Sequence, residues 1–214
     1  GTIVTIVFAL LLNEIRLKWA KKSIQTIVYL PNFLSWVILS TVVVNVFAYD
    51  GPINDFLEML GLERILFMAS NDWFRPMLIV TDVWKGFGYG AIIYLAALSG
   101  IDPGLYEAAA IDGANRFKRV LHITLPGILP TIMLVTIMNL PNILNAGFDQ
   151  IFNLYNPLVM ETSDIIDTYV YRVGLVQRQY SLGTAVGLMR SIVGIILILS
   201  ANKLAQKVTD YRIF

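Results

Sequence analysis

Apolar runs of near-membrane length alternate with short polar stretches along the chain. The first run, helix A, is Thr2 to Leu12. It covers only about 16 Å at 1.5 Å per residue, against about 30 Å of hydrocarbon. The rest of that span is expected to precede Gly1. A polar stretch follows, with Arg16, Lys18, Lys21 and Lys22 against Glu14. Helix B is expected from about Ile24 to Tyr49, bent at Pro31 and Asn32 because proline removes a backbone donor. The loop over 50–75 is acidic, and its middle, 53–60, reads as a short amphipathic helix at the membrane surface. Helix C is expected over about Pro76 to Ser99, with Asp82 and Lys85 on one face and Gly86, Gly88 and Gly90 permitting close helix contact. Helix D is expected from about Gly127 to Phe148, interrupted by Pro130 and Pro141. A second acidic loop, 149–181, contains a surface-helix pattern from Asp164 to Leu175. Helix E closes the series over about Leu182 to Leu204. The pattern predicts an all-α, polytopic transmembrane helical bundle, about five spans in one domain covering 1–214.

Composition supports this class. The chain is 57% hydrophobic and 14% charged, whereas a soluble domain is near one-quarter charged. With no cysteine, a disulfide framework and thiolate metal sites are excluded. The single histidine, His122, makes a histidine-based metal site a poor expectation. Charge also orients the helices. Segments 13–23, 100–127 and 203–214 hold ten Lys and Arg, while 50–75 and 149–181 hold four, with nine Asp and Glu. The positive-inside rule places the first group in the cytoplasm, together with the C-terminus. Lipid is the expected surrounding, and no nucleic-acid partner is expected.

The longest basic connection, Tyr106 to Pro130, carries the most specific pattern. Asp102 suits a helix cap and Pro103 the first helical position. Glu107-Ala108-Ala109-Ala110 favours helix. Asp112-Gly113 stops it, because glycine takes the left-handed conformation at low cost. A second short helix, Ala114 to His122, is expected to carry Arg116, Lys118 and Arg119. The stretch reads as a helix-turn-helix elbow between two spans.

Glu107-Ala108-Ala109, then Gly113, then Ile123-Thr124-Leu125-Pro126 match the "EAA" signature of bacterial ABC-importer permeases, at that family's spacing. Other segments extend the likeness over nearly the whole chain, including YLPNFLSWVILS, DVWKGFGYGAIIYLAALSGID, GFDQIFNLYNPLV and YSLGTAVGL. They resemble permeases of carbohydrate importers, in the branch that handles oligosaccharides and polysaccharide fragments. The resemblance implies the type I (MetI-like) importer fold, a plasma-membrane location and alternating access, with the N-terminal span truncated here. It implies a homologous second permease, two ABC ATPase subunits that bind ATP and magnesium, and an extracellular solute-binding protein. It makes 102–126 the cytoplasmic coupling loop and assigns ATPase coupling to Tyr106, Glu107, Ala108, Ala109, Asp112 and Gly113. This chain contains no GxxxxGK[ST] phosphate loop, so no cofactor is expected on it, and the energy must come from the partner.

Polar residues inside spans are the candidates for substrate contact, since lipid cannot satisfy them. At 100° per residue, Asn139, Asn142, Asn145 and Asp149 share one face of an unbroken helix D. Their amides suit sugar hydroxyls. Trp84 offers a flat face for a pyranose, and Arg190 and Lys85 are buried-charge candidates, a cationic cavity being suited to uronic acids. Equally, the asparagines bond neighbouring helices, Lys85 pairs with Asp82, and Arg190 supports a permease interface. Tyr169 and Tyr171 fit an interfacial belt. Gly183, Gly187, Ser191 and Gly194 form a small-residue stripe for helix packing. Three other readings carry less. A non-sugar cargo (amino acid, metal or phosphate) would use the same elbow. An ion-driven secondary transporter would need intramembrane carboxylates, of which Asp82 is the clear one. An intramembrane enzyme would need HExxH or GxSxG, and neither is present.

Overall fold

The structure is a computed structural model that describes residues 1–140, 142 and 146–209, with side chains of the last helix as far as 203. The described secondary structure is helical throughout. In order, α1 is Thr2–Glu14, α2 Lys18–Phe33, α3 Trp36–Val46, α4 Pro52–Met59, α5 Asn71–Ser99, α6 Pro103–Ile111 and α7 Arg116–Arg119. A π-helical turn, Val120–Thr124, leads directly into α8, Leu125–Asn139. Then come α9 Phe148–Leu154, α10 Met160–Ser163 and α11 Ile166–Val170. A second π-turn, Tyr171–Val176, precedes α12 Tyr180–Thr209.

The chain divides into two compact units. One comprises Gly1–Val28, Phe87–Ile143 and Ile192–Phe214. Its core joins Ala9 of α1, Ala91, Tyr94 and Leu98 of α5, and Ile128 of α8. Phe8 meets Phe87 edge to face at 5.0 Å. The second unit comprises Tyr29–Gly86 and Leu144–Ser191. There Val43 of α3 and Phe74, Met77 and Leu78 of α5 pack with Ile151 and Leu154 of α9. Gln150, only 3% exposed, donates to the Leu78 carbonyl and the Thr81 hydroxyl, each at 2.8 Å. Asn54, fully buried, closes the loop after α4: it donates to the carbonyls of Ala48 and Ile65 and accepts from the Ile65 N–H. Asn54 thereby satisfies backbone groups of Ala48 and Ile65 that lie outside the helices.

Several boundaries depart from expectation. Helix B is not one span kinked at Pro31. The helix runs through Pro31 and breaks at Leu34 and Ser35, and its two halves are bent by 107°. The break has an identifiable cause. The Ser35 hydroxyl caps α3 by accepting from the Ile38 N–H. Lys85 of α5 donates to the carbonyls of Asn32, at 3.3 Å, and Leu34, at 2.7 Å. A cation on the last carbonyls of a helix both satisfies them and complements the dipole. Lys85 therefore caps α2, and also lies over the Trp36 ring at 5.5 Å, instead of forming the Asp82 ion pair expected from spacing.

Helix D likewise begins far earlier than Gly127, because α7, the π-turn and α8 form one continuous rod. The second arm of the elbow is thus the foot of the span and not a separate helix. Among the described residues, Arg116–Asn139 and Tyr180–Lys203 are long and apolar enough to cross a membrane, with a third crossing if the bent pair is one span. Of the other expected spans, α1 has only 13 residues. The 29-residue α5 carries Asp72, Arg75, Asp82 and Lys85.

Candidate functional site: the elbow and an aromatic cavity

The elbow is built as its residues dictate. Asp102 caps α6, accepting from the Gly104 N–H at 2.9 Å, with Pro103 at the first helical position. At the other end Gly113 stands at φ +75°. Its N–H donates to the Ala110 carbonyl and the Ala114 N–H to the Ala109 carbonyl. This paired closure is a Schellman motif, which needs a residue that tolerates the left-handed region. Asn115 then caps α7, accepting from the Lys118 N–H at 2.8 Å. Asn115 was missed as a cap in the sequence, although asparagine before a basic helical run is a standard start signal.

Side chains on the elbow divide by exposure. Tyr106 is half-buried and shares a 3.0 Å hydrogen bond with the Thr124 hydroxyl, tying α6 to the π-turn. Glu107, Ala108 and Asp112 are exposed and Ala109 half-buried. Ile111 and Phe117, 87% and 74% exposed, project apolar surface beside them. Arg116 reaches Glu14 at 3.8 Å, an exposed pair that contributes little. The exposed side of α6 thus combines small residues and a carboxylate with two bare hydrophobes close by in sequence.

The asparagine face of helix D does not form. Helix α8 ends at Asn139, and Asp149 belongs to α9, which begins after Gly147 at φ +79°. Asn142 donates to Asn139 at 3.2 Å, and both are exposed. Asn145 and Pro141 lie outside the described residues. A shared face needs one unbroken helix, whereas α8 ends at Asn139 and α9 starts at Phe148. Trp84 lies among Val42, Val43, Val46, Phe47, Val80 and Thr81, around a space of about 230 Å³. Its surroundings are apolar, and the Thr81 hydroxyl is already bonded to the carbonyls of Met77 and Leu78.

Arg190 has a different setting. It forms an ion pair with Asp167 of α11, beside a cavity of about 570 Å³ whose walls include Phe148, Tyr171 and Tyr180. Phe148 and Phe152 stack at 5.1 Å, and Phe152 meets Tyr171 edge to face at 4.8 Å. Gly174 and Gly183 let the π-turn and α12 approach closely; a Cβ at Gly174 would stand 3.5 Å from the Gly183 Cα. Asp167 and the aromatic walls were not singled out in the sequence, where Tyr171 read as a belt residue. Their partner Arg190 lies 23 positions away, beyond any local pattern.

Next to this cavity, Arg172 grips Asp164 with Nη2 at 2.6 Å and Nη1 at 3.3 Å. That hydrogen bond, with a smaller contribution from the Thr168 hydroxyl, holds the Asp164 carboxyl below the usual carboxylate range, against the opposing effect of burial. A lowered folded-state value means stability that is present above the unfolded value and lost as pH falls through the folded one. Hydrogen exchange over 164–176 is therefore expected to stay slow from neutral pH down to about pH 4 and to quicken below it. The Arg172→Leu variant is expected to quicken at higher pH; identical profiles would remove the ion pair as the cause.

Over residues 1–210 the sequence matches the family described as binding-protein-dependent transport system inner membrane component. The chain belongs to this family. Among relatives of this inner-membrane component, protein LplB of Bacillus subtilis (strain 168) is 46% identical over 210 residues, 98% of this chain and 66% of LplB. The polygalacturonan/rhamnogalacturonan transport system permease protein YteP of the same organism is 43% identical, over 99% of this chain and 66% of its own length. The chain therefore spans about two thirds of the length of these relatives. A solved structure of a bacterial alginate ABC transporter, in complex with alginate pentasaccharide-bound periplasmic protein, superposes with a TM-score of 0.94 at 41% identity. The match covers 100% of this chain and 74% of that one. The MetI-like permease fold expected from the elbow is the fold observed.

Proposed function

We propose that this chain is the permease subunit of an ATP-driven importer that carries a sugar or oligosaccharide across the bacterial plasma membrane. The observation that carries the reading is likeness over the full chain, at 41–46% identity, to sequences and structures among which two substrates are named, polygalacturonan/rhamnogalacturonan and alginate. The solved complex of that alginate transporter holds a periplasmic binding protein. By analogy this permease pairs with a homologous second permease, two ATPases and an extracellular solute-binding protein. ATP and magnesium belong to the ATPases. In this reading the elbow is the coupling element. Tyr106 anchors it, Glu107 meets a basic group of the ATPase, Ala108 and Ala109 allow close approach, and Asp112-Gly113 sets the bend. ATP-driven closure would push α6 and, through the Tyr106–Thr124 bond, the whole rod from Arg116 to Asn139. Asn139 and Asn142 at the far end of that rod are proposed contacts for hydroxyls on the substrate path.

The test is ATP-dependent uptake by the full-length complex in proteoliposomes, across a panel of labelled oligosaccharides, amino acids, phosphate and metal ions. Uptake of oligosaccharide is expected; saturable uptake of another class alone would favour a non-sugar permease of the same fold. The loop charges put α4 and α10 outside and α7 and the C-terminus inside. Because the chain has no cysteine, single probes are clean. Glu58→Cys and Glu161→Cys are expected to react with an impermeant maleimide on intact cells, and Lys118→Cys only after lysis. The reverse pattern would invert the topology.

A further inference from the structure

We infer that the cavity walled by Phe148, Tyr171 and Tyr180 is a subsite for a carboxylate-bearing pyranose, with Arg190 as the group that reads the carboxylate. The inference rests on the reading of the chain as an oligosaccharide permease and adds the chemical class that this one site selects. At about 570 Å³ the cavity falls in the range of roughly 300–1,000 Å³ that takes small ligands. Such sites combine apolar walls with a few convergent polar groups. Here the walls are three aromatic rings, flat and amphipathic, which suit the C–H face of a sugar ring. The polar groups are Asp167, Thr184 and Arg190.

Arg190 decides the class. Its side chain is 24% exposed and that of Asp167 20%, so both charges are largely withdrawn from solvent and weakly screened. Among the described residues, the hydrogen bond recorded from Arg190 runs from Nη1 to the Asp167 carboxylate. A guanidinium carries five N–H donors. Asp167 takes one nitrogen, and the remaining N–H groups of a guanidinium can meet a second carboxylate through two parallel bonds. The ion pair keeps the cation neutralised while the cavity is empty, where a lone charge would be costly. A neutral sugar offers nothing ionised to these N–H groups, whereas a uronate engages them. Asp167 and Thr184 remain to accept or exchange hydrogen bonds with ring hydroxyls.

The experiment is equilibrium binding of digalacturonate, and of its neutral counterpart digalactose, to the assembled full-length membrane complex without the binding protein. Omitting that protein removes its own selectivity from the readout. The wild type is expected to prefer digalacturonate. Arg190→Gln is expected to weaken digalacturonate binding about tenfold or more and digalactose binding by much less, so that the preference is lost. Arg190→Lys, which retains the charge but not the fork, is expected to narrow the preference part-way; it decides the matter if Arg190→Gln does not assemble. Equal binding of both sugars, no digalacturonate binding by the wild type, or an unaltered preference in the Arg190 variants would overturn the inference. So would Arg190-dependent retention of phosphatidylglycerol without digalacturonate binding, which would assign the cavity to a lipid headgroup. Failure here leaves the uptake test of the permease reading standing, and uptake of a non-sugar solute alone would remove that reading separately.

Discussion

The Glu107→Arg complex is expected to insert and assemble its membrane bundle, yet to lose transport and the stimulation of its ATPase by loaded binding protein. Glu107 is exposed on a helix whose first and last turns are satisfied from within, by Asp102 and by the closure at Gly113. The substitution therefore disturbs no packing in this chain. What changes is the outward-facing charge. If the ATPase presents a basic group, the variant replaces attraction by repulsion. Truncating one partner of a buried, hydrogen-bonded charge pair costs about 2–5 kcal/mol. That corresponds to a loss of roughly 30-fold or more in docking, at about 1.4 kcal/mol per factor of ten. Reconstituted proteoliposomes supply both readouts. Full stimulation with full uptake would show that α6 is not the coupling element.

The second large effect is a contrast between two glycines on α5. Gly88→Ala is expected to destabilise the protein strongly, and Gly86→Ala to be neutral or stabilising. A Cβ at Gly88 would stand 2.5 Å from the Val28 carbonyl oxygen and 2.9 Å from its carbon. Those are backbone atoms of α2, so the helices must separate. Overpacking of this kind costs about 1–3 kcal/mol, occasionally more. At Gly86 a Cβ meets nothing within 4 Å. There alanine gains about 0.5–1 kcal/mol from reduced backbone entropy in the unfolded chain. Thermal unfolding of the two variants in the same detergent measures the difference directly. Comparable melting temperatures would mean that α2 and α5 do not meet at Val28.

These two sites also show what the sequence makes legible. The elbow could be read because its information is local: cap, helix former and left-handed glycine lie within twelve consecutive positions, about as far as backbone preferences reach. The helical class followed from apolar runs for the same reason. The glycines were recognisable as contact residues, but which one makes the contact depends on Val28, on another helix. The break after Pro31 illustrates the same limit. Proline marks the neighbourhood, while the break lies where Lys85, more than fifty positions away, takes two carbonyls. Asn139 and Asp149 do not share a face because α8 ends at Asn139 and Asp149 belongs to a separate helix that begins after Gly147. Arg190 was visible as a charge inside an apolar run, but its meaning depends on Asp167.

The π-turn at Val120–Thr124 bears on how the rod from Arg116 to Asn139 tolerates change. The Leu125 N–H donates to the Val120 carbonyl five residues back, so the rod holds one residue more there than an ordinary helix would. Each residue turns a helix by about 100°. Deleting one position in this turn would restore regular winding with Arg116, Lys118 and Arg119 still in phase with 125–139, whereas a deletion elsewhere in the rod would swing them about 100° around the axis. The turn thus absorbs one residue between the basic foot of the rod and the apolar stretch that follows it. Substitutions along the rod alter one face at a time. A change in its length outside the turn rotates the foot against the apolar stretch, so indels there face a harsher constraint than replacements of the same residues.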